Sequence, residues 1–82
     1  MYFVYILYSK AFDKYYVGHT SSIERRIKEH NQGFNKSTKP YIPWELLGSV
    51  TKNEKAEAYQ LELKLKNLSK VRKLDFVKKY CK

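Results

Sequence analysis

The stretch YFVYILYS, residues 2–9, carries an apolar or aromatic side chain at nearly every position. A strand with one wet face alternates polar and apolar residues, and this one does not. Both faces must therefore be covered, which predicts a central strand of a sheet. KAFD at 10–13 supplies a break, and KYYVG at 14–18 reads as a second strand. So short a connection predicts an antiparallel hairpin.

Outward from the hairpin, Ser21-Ser22-Ile23-Glu24 fits a capping box with Ser21 as N-cap, followed by a helix through IERRIKEHN that stops near Gly33. Ile23 and Ile27 form its apolar stripe. Arg26 and His30 lie one turn apart along the edge of that stripe, placed to be half-buried. GFNKSTKPYIP, 33–43, holds both prolines and reads as a loop, with Lys36 and Lys39 available to a phosphate backbone. WELLGSV, 44–50, is a short third strand. Thr51, with Asn53 as rival, is the expected cap of a second helix whose core stripe is Ala58, Leu61, Leu65 and Leu68. Glu62 sits on the edge of that stripe, with Lys66 one turn later on the same side. Ser69 breaks this helix and caps a third, with Val71, Leu74, Val77 and Cys81 expected inward. The order β-β-α-β-α-α predicts an α+β domain over 1–82: a small three-stranded antiparallel sheet flanked by three helices.

At 82 residues there is room for one core. The 17 lysines and arginines exceed the 8 acidic residues, for a net charge of +9. In so small a chain that favours a polyanionic partner, nucleic acid first. A solvated lysine-rich surface would give the same count, so charge alone names no more than a class. No segment approaches the length needed to span a bilayer and no signal-peptide order is present, so no membrane partner is expected. The one cysteine, Cys81, can form neither an internal disulfide nor a thiolate cluster, which suggests a cytoplasmic protein and an inert thiol. The glycines are too scattered for a phosphate loop, and the two histidines lack thiolate partners for zinc.

The helix borders are more informative. A carboxylate at a core border is costly unless it is paired or binds a cation. Glu62 is therefore either bridged to Lys66 or Arg26, or holds Mg²⁺ beside an arginine that grips phosphate.

With the hairpin tyrosines, Arg26 and Glu62 in place, the chain resembles the GIY-YIG nuclease superfamily, in particular its small stand-alone, UPF0213-like members. Phe3-Val4-Tyr5 matches the first signature and Tyr16-Val17-Gly18 the second. IERRIKEHN supplies the family arginine at Arg26 and a polar residue one turn on at His30. AEAYQLELKLKNLSK resembles the pattern of the small members at Ala58, Glu62, Lys66, Leu68 and Ser69. The resemblance implies a one-metal phosphodiesterase, with Mg²⁺ or Mn²⁺ at Glu62, charge stabilisation by Arg26, and Tyr5 or Tyr16 orienting or deprotonating the attacking water. His30 becomes a proton acceptor or relay, on the expectation that positive charge lowers a nearby phenol. His19, Gly18, Lys36, Lys39 and Lys66 become substrate contacts, Gly18 by close backbone approach. The implied partner is DNA, in branched, nicked or damaged form, with no small-molecule cofactor. A binding module with little catalysis and an RNA-directed nuclease are the alternatives. Two departures stand out: Phe3 replaces the signature glycine, and the 82 residues leave no room for an appended DNA-binding domain. Specificity then rests on charge, which is salt-dependent and largely sequence-blind.

Overall fold

A computed structural model describes residues 1–81. The strands are β1 (Tyr2–Ser9), β2 (Lys14–Thr20) and β3 (Glu45–Lys52); the helices are α1 (Ile23–Asn31), α2 (Lys55–Lys66) and α3 (Lys70–Tyr80). Their order is the expected β-β-α-β-α-α, and a short 3₁₀ turn, Lys39–Tyr41, lies in the loop before β3. The sheet order β2-β1-β3 puts β1 in the centre, antiparallel to both neighbours.

The continuous hydrophobicity of β1 follows from this placement. Successive side chains point to opposite faces. Val4 and Ile6 face one way, packing with Val17 of β2 and with Ala58 and Leu65 of α2. Tyr5 and Leu7 face the other way, packing with Trp44, Tyr16, Ile27, Tyr41 and Ile42. The sheet is thus sandwiched between α2 with α3 on one side, and α1 with the 33–44 loop on the other.

β2 runs two residues beyond Gly18, pairing His19 with Val4 and Thr20 with Phe3. That extension moves the start of α1. Ser22, not Ser21, is the N-cap, and its side chain makes no capping bond. Thr20 instead locks the junction: its Oγ1 accepts from the Ser22 N–H at 3.1 Å and donates to the Ser22 carbonyl at 3.2 Å. Likewise β3 continues to Lys52, which takes Thr51 into the ladder opposite Phe3. The cap of α2 falls to Glu54, in a reciprocal box with Glu57.

α1 ends as its glycine suggests. Gly33 sits at φ +82, the Gly33 N–H donates to the His30 carbonyl at 3.2 Å, and the Phe34 N–H donates to the Glu29 carbonyl at 3.0 Å. This Schellman pair closes the last turn and fixes the backbone at His30. Ser69 caps α3, accepting from the Arg72 N–H at 3.3 Å. Val71 does not face inward; it is 68% exposed, and Phe76 packs on the core with Val77. At 3.6 residues per turn, Phe76 and Val77 centre on one face, and Val71 points roughly 170° away from it.

Leu65 lies at the centre of the α2 face of the core. Leu65→Ala should cost about 2–5 kcal/mol, read as a lower midpoint in urea unfolding. A cost under 1 kcal/mol would mean that α2 is not a principal cover of the sheet.

Candidate active site

The site begins with a missing side chain. Tyr5 lies directly opposite Gly18 in the ladder. A Cβ at position 18 would sit 2.5 Å from the Tyr5 hydroxyl, 2.7 Å from Cζ and 3.1 Å from Tyr16 Cε2. Glycine is the residue that lets the Tyr5 ring cross β2 at this point, so its role is close approach, to a side chain of this chain itself.

The Tyr5 hydroxyl ends in the interior, 2.9 Å from His30 Nε2. His30 is fully buried, and its Nδ1 lies 2.8 Å from Thr38 Oγ1. Thr38 Oγ1 donates onward to the Asn35 carbonyl at 3.4 Å. A hydroxyl that donates there accepts from His30, so the imidazole hydrogen is on Nδ1. Nε2 then accepts from the Tyr5 hydroxyl. The result is a directed chain from Tyr5 through His30 and Thr38 to the Asn35 carbonyl. Burial, with the charge of Arg26 second, pushes the His30 imidazole down to about 4. Burial, then the neighbouring Tyr16, pushes the Tyr5 phenol up to about 12; Arg26 pulls the other way without prevailing. This corrects the expectation of a lowered phenol at Tyr5. Desolvation inside a closed core outweighs one adjacent cation.

Tyr16 is half-buried beside this chain, its ring 4.9 Å from His30 and 6.3 Å from Tyr5. Arg26 is half-exposed, and its charge acts on the Tyr5 phenol. Its Nη1 donates to Glu29 Oε1 at 3.0 Å. Burial works against the guanidinium charge, but Glu29 and Tyr5 more than offset it and hold Arg26 above its usual range.

Glu62 reaches the site from the other side of the sheet. It is 7% exposed, with Oε1 2.8 Å from His19 Nδ1 and Oε2 3.2 Å from Lys66 Nζ. The pairing with Lys66 is one of the two partners considered for it; Arg26 pairs with Glu29 instead. His19 stands opposite Val4, hence on the α2 face, whereas Tyr5 and Tyr16 point to the α1 face. The candidate residues therefore straddle edge strand β2. The Glu62 charge acts on the Tyr5 phenol across it. Three concave patches of the surface are lined by other residues. Cys81 is half-buried and its thiol is pushed up by burial, in line with an inert cysteine.

Lys36 and Lys39 are exposed. Their loop is tied to the site through Thr38, which lies between them, and Thr38 was not singled out in the sequence. Nor were Asn31 and Trp44. Asn31 Oδ1 accepts from the Trp44 N–H at 2.7 Å, its Nδ2 donates to the Trp44 carbonyl at 3.0 Å, and Trp44 Nε1 donates to the Thr38 carbonyl at 2.9 Å. These bonds pin the loop so that Thr38 can hold His30. A threonine in a polar loop gives no advance sign that it will be buried.

Residues 1–75 match the family model of the GIY-YIG catalytic domain. The chain belongs to the GIY-YIG family. A UPF0213 protein of Natronomonas pharaonis is 38% identical to it over 72 residues, covering 87% of this chain and 84% of the relative. The UPF0213 protein YazA of Bacillus subtilis is 35% identical, covering 87% and 72%. The solution structure of a UPF0213 protein from Bacillus halodurans superposes with a TM-score of 0.58 at 35% identity, over 95% of this chain and 84% of that one. This GIY-YIG domain is thus a member of a nuclease superfamily, similar over most of its length to UPF0213 relatives.

The buried His30 gives this GIY-YIG domain a specific acid sensitivity. Its folded-state value near 4 lies below the ordinary 6.5, so in that window the unfolded chain takes up a proton that the folded chain refuses. Stability must fall as pH drops through the window, by up to roughly 3 kcal/mol from this group. His30→Gln should lose correspondingly less between pH 7 and pH 4 in urea unfolding. Equal pH slopes for the two proteins would show that His30 takes up its proton alike in the folded and unfolded chain.

Proposed function

We propose that the chain, as one domain over 1–82, is a divalent-metal-dependent endonuclease that hydrolyses phosphodiester bonds in DNA. The observation that supports it most is the gathering of Tyr5, Tyr16, Arg26 and His30 around one buried hydrogen-bond chain, within electrostatic reach of the carboxylate of Glu62. Packing alone gives no reason to join an arginine, two phenols, an imidazole and a buried carboxylate at a sheet edge in a chain of net charge +9.

The donor set fits a divalent ion of the Mg²⁺ or Mn²⁺ kind. Among the described residues no three His, Cys, Asp or Glu side chains cluster, which suits an ion that keeps most of its waters and uses substrate phosphate as a ligand. Glu62 would hold it, and Lys66, 46% exposed, is free to swing aside. Bound there, such an ion supplies Lewis-acid stabilisation of charge on the phosphate and leaving oxygens.

The remaining work falls to the chain's own groups. Arg26, charged at any working pH, would stabilise the extra negative charge of the pentavalent transition state. Tyr16 is the less buried of the two phenols, and it would position the attacking water. Tyr5, protonated and donating to His30, would hold the hydrogen-bond chain in place. His30 would therefore act behind Tyr5, fixing the phenol by accepting its hydrogen bond rather than contacting water directly. Lys36, Lys39, Lys66 and His19 would bind the flanking backbone with little regard for sequence. Branched, nicked or damaged DNA would be the preferred form, since a domain this small has little surface with which to read sequence.

One observation favours a second reading. Both Glu62 oxygens are already engaged, by His19 and by Lys66. If those pairs persist with nucleic acid bound, the domain is a binding module with little catalysis.

Supercoiled plasmid, labelled branched and nicked DNA, single strands and RNA, each incubated with Mg²⁺ or Mn²⁺, separate these readings. The wild type should cut DNA, Glu62→Gln should be inactive, and Arg26→Ala should fall by about 10²–10³ in rate. Retarded DNA without cleavage would establish the binding module, and cleavage confined to RNA would move the substrate class.

A further inference from the structure

The hydrogen bond between His19 and Glu62 is shaped like one edge of a metal site. Resting on the metal reading of Glu62 above, the geometry points to His19 Nδ1 as a second protein ligand of the divalent ion. It would form with Glu62 Oε1 a mixed nitrogen–oxygen pair that favours Mn²⁺ and Co²⁺ over Mg²⁺.

His19 Nδ1 and Glu62 Oε1 are 2.8 Å apart. Two donors at right angles on an octahedral ion, each about 2.0–2.1 Å from it, lie about 2.9 Å apart. The two atoms already have that separation, so an ion can seat beside the N–O line once the imidazole hydrogen has moved to Nε2 and the ring has turned its Nδ1 lone pair toward the ion. Nδ1 now carries the hydrogen it donates to Glu62; a neutral imidazole with its hydrogen on Nε2 presents a lone pair there instead. Both side chains are held in place. His19 lies in the β1–β2 ladder, its ring edge-on to Tyr59 at 6.1 Å, and Glu62 is buried on α2.

Lys66 does not block this pair. It engages Oε2, whereas Oε1 is shared with the imidazole. Ligation through Oε1 can leave the lysine where it is.

The donor types set the preference. Mg²⁺ favours oxygen ligands in near-ideal octahedra, whereas imidazole nitrogen suits later first-row ions. A lone carboxylate would discriminate little between them; a carboxylate with imidazole would discriminate more. Phosphate contact, the role expected for His19 from sequence, would call for a donor directed at the substrate rather than at the metal-binding oxygen.

Binding of Mn²⁺, Co²⁺ and Mg²⁺ to the full chain, measured by calorimetry without nucleic acid, tests this together with pulsed EPR of the Mn²⁺ form. The wild type should bind Mn²⁺ and Co²⁺ more tightly than Mg²⁺ and show ¹⁴N coupling to Mn²⁺. His19→Gln, which keeps a hydrogen-bond donor toward Glu62, and His19→Ala should each bind Co²⁺ at least about tenfold more weakly. Both should lose the ¹⁴N signal and leave Mg²⁺ affinity little changed, with circular dichroism matching wild type. Co²⁺ affinity and ¹⁴N coupling retained in His19→Gln would overturn the assignment. So would a wild-type Mn²⁺ signal without ¹⁴N. Glu62→Gln should lose all three ions. If it binds them as wild type does, or if the wild type binds none, the metal reading of Glu62 itself fails. Loss in Glu62→Gln with full retention in His19→Gln removes His19 alone.

Discussion

The buried hydrogen bond from Tyr5 to His30 constrains the rest of the site. A phenol on the central strand of a covered sheet must find a partner for its hydroxyl or bear the cost of desolvating it. Its ring can reach inward only because position 18 on the next strand has no side chain. The partner it finds is an imidazole, which needs a partner of its own. Thr38 meets that need, and Thr38 is held by a loop that Asn31 and Trp44 fasten down. Each polar group taken from water recruits the next until the chain ends on a backbone carbonyl. In a domain this small, a fully satisfied polar network inside one half of the core also specifies its geometry.

That network explains why the two halves of the site have different electrostatic characters. On the α1 face, burial keeps both Tyr5 and His30 neutral, and Arg26 brings the charge from the border, with Glu29 steadying it. On the α2 face, Glu62 lies between His19 and Lys66. Strand β2 is thin enough for the Glu62 charge to be felt at the Tyr5 phenol. An edge strand thus separates groups whose roles conflict. Proton-holding groups sit in the dry layer, and the cations Arg26 and Lys66 sit where solvent and a polyanion can reach them.

Much of the fold was legible because β1 is unambiguous. An uninterrupted apolar strand must be central, and the neighbouring elements then have few places to go. The stripe of α2 and the border positions of Arg26 and Glu62 followed from helical spacing. What failed was set by pairing rather than by local pattern. Ser21 and Thr51 carry good cap chemistry, but the strands before them run on, to Thr20 and Lys52, and the caps fall to Ser22 and Glu54. Val71 fits a stripe of every third residue, yet the burial of Phe76 rotates the inward face of α3 away from it. The Tyr5 phenol was misjudged for a similar reason. Its nearest charges are readable in sequence, but the depth of its burial is not. Thr38 was invisible because nothing local marks a loop residue as the terminus of a buried network.

The sign of the charge around Glu62 bears on how such a site would be filled. One carboxylate with His19 beside it, set among Lys66 and the wider excess of lysine and arginine, holds a divalent cation only weakly until phosphate joins it. Taken alone, the same neighbourhood suits phosphate well. A cation that arrives with a phosphate changes the balance, because the anionic oxygens complete its shell and cancel the surrounding positive field. Lys66 and His19 then cease to compete with the cation and turn to the anion or to the ion itself. On the proposed reading, metal and nucleic acid each improve the site for the other, and a single buried carboxylate suffices where an acidic cluster would repel the substrate.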